Sequence, residues 1–121
     1  MAATNAVRGP TMTIGDPVSP IGSFTDPEYA QVGLTEAKAR ETHDVVTAVV
    51  RFDSTTRTII DGRTVGFCKM IVDRTTSRIL GCHVVGERAV EITQLAAMAI
   101  AARMRRTTWL IFHSRFPHTQ E

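Results

Sequence analysis

The sequence predicts an α+β domain, an antiparallel β-sheet flanked by helices, and three observations carry that prediction. First, Val65 to Asp73 and Arg78 to Val85 are strand-like runs separated by Arg74-Thr75-Thr76-Ser77, a connection of hairpin length. Second, Val45 to Phe52 is dense in β-branched residues, which favour the pleated sheet. Third, from Glu87 to about Arg103 the residues Ile92, Leu95, Ala96, Ala99 and Ile100 recur on one face at helical spacing. The order is extended segment, helix, three strands, helix, which suits an antiparallel sheet with helices packed on it.

Along the chain, residues 1–21 carry Gly9-Pro10, Asp16-Pro17 and Ser19-Pro20 and read as a linker or disordered leader. Order is expected from near Phe24, with a turn at Thr25-Asp26-Pro27-Glu28 and an extended stretch from Tyr29 to Leu34. Thr35 can cap a short helix, Glu36 to Glu41, with Glu36 placed to favour the helix dipole. Ser54 to Arg63 reads as a polar, turn-like segment. In the hairpin, Cys68, Met70 and Val72 share one face by alternation, as do Leu80, Cys82 and Val84. A slip of one residue would expose both sets.

The last helix differs from an ordinary amphipathic one. Ala97, Met98, Ala101 and Ala102 make its second side apolar as well. In a domain of 121 residues that implies a second surface to cover it. Ile92, Leu95, Ala96, Ala99 and Ile100 are the candidate interface residues, and the alanines permit a close approach.

Composition excludes several roles. A formal net charge of +2 is too small to point to a nucleic acid or a membrane surface, and Arg103, Arg105 and Arg106 read as a solvated helix end. No apolar run is long enough to span a bilayer as a helix, and Met1 to Pro10 lacks the apolar core of a secretory signal. The expected location is the cytoplasm. Cys68 and Cys82 lie either directly opposite or diagonally on facing strands. Direct opposition would permit a disulfide, but the reading favoured here is a pair of buried, reduced thiols. His43, His83, His113 and His118 form no recognisable ligand set, so no metal is expected.

Four phrases, in order, resemble one family. They are Phe24-Thr25-Asp26-Pro27-Glu28 with Val32-Gly33-Leu34-Thr35-Glu36; Gly66-Phe67-Cys68-Lys69-Met70-Ile71-Val72-Asp73; Arg78-Ile79-Leu80-Gly81-Cys82-His83-Val84-Val85-Gly86; and Ala89-Val90-Glu91-Ile92. Together they resemble the C-terminal dimerisation domain of the flavin-dependent pyridine nucleotide–disulfide oxidoreductases, with wording nearest the mercuric reductase-like branch. The resemblance spans about residues 22–104. It implies an antiparallel sheet with flanking helices, a homodimer, and a place at the two-fold subunit interface of an enzyme that uses FAD and NAD(P).

The resemblance also marks what this chain lacks. No G-x-G-x-x-G turn occurs, so no FAD or NAD(P) site is expected in it. The family's redox-active cysteine pair belongs to another domain. Where many members carry an acid/base His before a Pro, Phe116 precedes Pro117, and Glu121 is only a weak positional match for the family Glu. Phenylalanine transfers no proton, so no catalytic residue is assigned. Two alternatives stay open: a subunit completed by a separately encoded FAD/NAD(P)-binding chain, and a non-functional gene remnant.

Residues 105–121 read as a degraded tail. The family pattern expects Gly at Arg103, then an acidic pair, Leu-Ala, and a run ending Ser-Phe-Pro-Thr. Codons compatible with Thr107 to His118, read one base out of phase, give Asp-Asp-Leu-Ala-Asp-Phe-Pro-Leu-Ser-Phe-Pro-Thr, close to that pattern. The expected cause is a one-base frameshift between about Arg103 and Thr107. Sequencing the coding DNA checks it: the displaced frame must encode a family-like tail, and any other reading removes the idea.

Overall fold

In the computed structural model, residues 2–11 and 18–107 are described. Ten elements follow in order: α1 (Ala2–Arg8), β1 (Ile21–Ser23), β2 (Tyr29–Gly33), α2 (Glu36–Arg40), β3 (Val45–Arg51), a 3-10 turn (Phe52–Ser54), α3 (Thr56–Ile60), β4 (Phe67–Asp73), β5 (Ile79–Val85) and α4 (Ala89–Ala101). The five strands form one antiparallel sheet in the order β1-β2-β5-β4-β3. The α+β architecture expected from the sequence is the one observed. Phe116, Glu121, His113 and His118 lie outside the described residues.

The register gives the sheet two different faces. Val32, Cys82, Met70 and Ala48 stand in one row across β2, β5, β4 and β3, and Ala30, Val84, Cys68 and Val50 stand in the next. α4 lies on this face, over β2 and β5, and its Ala89, Ala96 and Ala97 join Ala30, Val32, Cys82, Val84 and Phe52 in the main core. On the opposite face α2 brings Ala39 against Val45 and Ile71, with Leu34 and Leu80 around them. Thr35 starts α2 as expected, its Oγ accepting the Lys38 amide at 3.2 Å.

A bulge corrects one detail of the hairpin. Ile71 pairs with Gly81, whereas Val72 pairs with Ile79, so Leu80 is the extra residue on β5. Leu80 therefore packs with Ala39, Val45 and Ile71 rather than sharing a face with Cys82 and Val84, and Ile79 is buried instead. Strict alternation fails at that one position because the extra residue inverts the parity beyond it. Gly81 is required beside the bulge: a Cβ there would lie 2.1 Å from the Leu34 carbonyl oxygen. Gly86, at φ +129, ends β5 where a Cβ would strike the Phe52 ring at 2.4 Å.

Other departures lie outside the strong patterns. The leader contains α1, none of whose residues is buried. The sheet begins at Ile21, three residues before Phe24, because β1 pairs with β2 through Ile21–Gln31 and Ser23–Tyr29. The polar segment after Phe52 holds α3, stapled to the 3-10 turn where the Thr58 hydroxyl donates to the Phe52 carbonyl.

The ends of the hairpin and of α4 carry explicit devices. In the turn, Asp73 accepts from the Thr75 amide at 3.0 Å and the Thr76 hydroxyl at 2.6 Å. These bonds, the Thr76 hydroxyl foremost, hold the Asp73 carboxyl below its ordinary value. At the end of α4 the Arg103 amide donates to Ile100 and the Met104 amide to Ala99, both at 2.9 Å. That is a Schellman termination with Arg103 left-handed at φ +51, the conformation glycine prefers.

Two outcomes follow. Arg103→Gly should stabilise the domain by roughly 0.5–1 kcal/mol, the relief of left-handed strain less the entropy glycine returns to the unfolded chain; urea denaturation measures it. A carboxylate with a depressed pKa contributes stability that is present above its unfolded value, about 3.9, and is lost as pH falls through the folded one. Acid titration of Asp73→Asn should therefore show lower stability at neutral pH and a shallower loss below about pH 4 than the parent chain.

Candidate dimerisation surface

α4 is where sequence placed the interface, and the structure divides its five candidates. Ala96 and Ala99 are each 1% exposed and point into the domain's own core. Ile92 and Ile100 are half-buried against that core. Leu95, 55% exposed, alone faces outward, and Met98, 62% exposed, stands one turn along beside it. Ala101 and Ala102 continue the exposed apolar stripe, flanked by Glu91 and Gln94. The helix is apolar on two sides, as its sequence implies, but the alanine side is the inward one. Met98, placed by its sequence on the second apolar side but not among the five candidates, belongs to the exposed stripe, because periodicity marks a helix's apolar stripes without saying which one meets the sheet.

Thr93 explains why the inward side tolerates a polar residue. It is fully buried, and its hydroxyl donates to the Ala89 carbonyl at 2.7 Å within the helix.

A second apolar surface lies on the sheet face away from α4. Tyr29, Val85, Phe67 and Arg51 form one row in register, and Gln31, His83, Lys69 and Val49 the next. α2 covers this face only near Ile71, leaving Tyr29, Phe67 and Val49 exposed. Polar groups here are held in place. Lys69 pairs with Glu36, which also binds Arg40 at 2.6 Å, and these two partners, Lys69 foremost, hold the Glu36 carboxyl below its ordinary value. His83 donates from Nε2 to the Leu34 carbonyl at 3.1 Å.

The two thiols stand on the α4 side. Their positions are diagonal rather than directly opposite, since Cys68 pairs with Val84 and Cys82 with Met70. Both are free, with the sulfurs 3.8 Å apart. The contact holds the Cys68 thiol below its ordinary value, while Cys68 together with burial pushes the Cys82 thiol up. Among the described residues no three His, Cys, Asp or Glu side chains cluster as a metal site. No helix among them is long and apolar enough to cross a membrane.

The residues present do not fit FAD or NAD(P). A dinucleotide fold places its pyrophosphate at a helix N-terminus beyond a parallel strand, and among the described residues every strand pair is antiparallel. At the N-terminus of α4, Glu87 and Glu91 would repel the phosphates. The cavity beside it, about 210 Å³, is lined by Asp26, Pro27, Gly62, Arg63, Val65 and Glu87, and Arg63 is already paired with Asp26 and Glu87.

The family model for the pyridine nucleotide–disulphide oxidoreductase dimerisation domain matches residues 19–119. The chain belongs to this family. Mercuric reductase of Bacillus cereus is 37% identical over 101 residues, covering 83% of this chain and 16% of that enzyme. Dihydrolipoyl dehydrogenase of Synechocystis is 36% identical over 99 residues, covering 78% of this chain and 21% of that enzyme. Among solved structures, the HOCl-induced flavoprotein disulfide reductase RclA of Escherichia coli superposes with a TM-score of 0.80 at 24% identity, over 98% of this chain and 27% of its own. The chain thus spans a small fraction of the relatives it matches. Its family membership and its sheet-and-helix fold agree with the reading from the residues.

Proposed function

We propose that this chain is the subunit-interface domain of a cytoplasmic FAD- and NAD(P)-dependent disulfide oxidoreductase, acting by self-association and without cofactor chemistry of its own. The observation that carries the reading is the outward stripe of α4, with Leu95 and Met98 more than half exposed on a helix whose opposite side is fully packed. A two-fold interface sets the same patch against itself. Leu95 and Met98 of one copy would pack across those of the next, with Ala101 and Ala102 allowing close approach. FAD and NAD(P) belong to the parent family, and in this reading they reach the assembly through other domains.

The exposed sheet face supports a second partner. Tyr29, Phe67 and Val49 stay in water in the isolated domain, which favours a FAD/NAD(P)-binding chain or domain docking there.

Sedimentation equilibrium of the purified chain should give twice the monomer mass. Burying one leucine contributes about 1.5–3 kcal/mol, and a two-fold interface counts each change twice. Leu95→Glu should therefore raise the dimer dissociation constant by about 100-fold or more, with the far-UV circular dichroism unchanged. A monodisperse monomer from the parent chain overturns the reading.

A further inference from the structure

We infer that Cys68, Cys82 and Met70 form a binding site for a soft monovalent cation, copper(I) by preference. The three sulfur residues share one face of the β4–β5 hairpin. Cys68 and Met70 are two residues apart on β4, and Cys82 stands directly opposite Met70 on β5.

Geometry separates a metal site from a disulfide. Diagonal positions on neighbouring strands hold their Cα atoms about 7–8 Å apart. An unstrained disulfide spans about 4.4–6.8 Å, so closure would pull the ladder out of register. A bound ion asks for less. Two metal–sulfur bonds of about 2.3 Å, the length of a zinc–thiolate bond, bridge sulfurs 3.8 Å apart with an angle of about 110° at the metal. The sulfurs already stand at the spacing of neighbouring ligands in a trigonal or tetrahedral shell.

The surroundings select the ion. Zinc takes four N, O or S donors, and among the described residues no third His, Cys, Asp or Glu joins the pair. His83 and Lys69 pair with each other on the opposite face of the sheet. Met70, paired with Cys82 on the thiol face, offers a thioether as a further donor, and thiolate with thioether is the set that favours copper(I). Val32 and Ala48 flank the same row, and Val84 and Val50 the next, a lining that gives hard cations nothing to bind.

Access comes from the β3 side. α4 covers β2 and β5 and buries Cys82 to 1% exposure, whereas Cys68 and Met70 are only half-buried beside the exposed Ala48 and Val50. Binding releases one proton from each thiol to water. Two thiolates and one copper(I) leave a single net negative charge, centred toward the half-exposed Cys68.

The test uses the full chain, reduced and kept without oxygen, titrated with copper(I) supplied as its acetonitrile complex against a chromogenic copper(I) chelator. One copper per chain is expected. Cys68→Ser should surrender it to the chelator, and Met70→Leu, which keeps the core apolar, should weaken it by about tenfold. Equal retention by the parent chain and Cys68→Ser overturns the proposal, as does one copper bridging two chains. Cys82 is buried, so if Cys82→Ala fails to fold by circular dichroism, Cys68→Ser and Met70→Leu still decide.

Discussion

The seating of α4 on β2 and β5 is the interaction on which the rest depends. It works through small side chains: Ala89, Ala96 and Ala97 meet Ala30, Val32, Cys82 and Val84. Alanines bring helix and sheet close, and the close approach has two costs. Gly22 must lack a Cβ, which would lie 2.8 Å from a Val90 methyl, and Thr93, the buried polar residue of α4, must satisfy itself within the helix. Because the small residues face inward, the large ones, Leu95 and Met98, are left facing out. A helix with the opposite arrangement would be a better core element and a poorer interface.

How much of this is legible in sequence depends on whether local pattern or long-range pairing sets each element. β3, β4, β5, α2 and α4 rest on runs of β-branched residues, a Thr cap and a helical period, and each lies within a few residues of its expected bounds. β1 is three residues long and entirely exposed; it is a strand only because β2 offers it a partner. α3 has no apolar stripe turned inward and is held by Thr55, Thr58 and the Phe52 carbonyl. The bulge at Leu80 also leaves no local mark, since Leu80, Cys82 and Val84 alternate as well as any regular strand. The partner that holds it lies just past β2, where Leu34 donates its amide to the Leu80 carbonyl.

The surface was legible in outline and not in detail. Two apolar sides on one helix imply two partners; the sheet is one, and the other side stays exposed at Leu95 and Met98. Which side meets which partner turns on the size of residues in the strands beneath. Only the register shows that β2 and β5 present Ala30, Val32 and Val84 together, the bed on which Ala89, Ala96 and Ala97 pack. The diagonal placement of the thiols has the same origin. Alternation puts Cys68 and Cys82 on one face, but the turn and the bulge decide which of two allowed pairings is made.

The same asymmetry links the surface to the sulfur cluster. α4 shields the β2–β5 half of its face, while on the β3–β4 half Ala48 and Val50 stay exposed. A partner docking on the outward stripe of α4 would leave that open half untouched, since Leu95 and Met98 point away from the sheet. A partner lying over β3 would instead cover Ala48 and Val50, and with them the approach to Cys68. Entry to the proposed sulfur site would then compete with a partner on the β3 side, whereas self-association through α4 would leave that entry open.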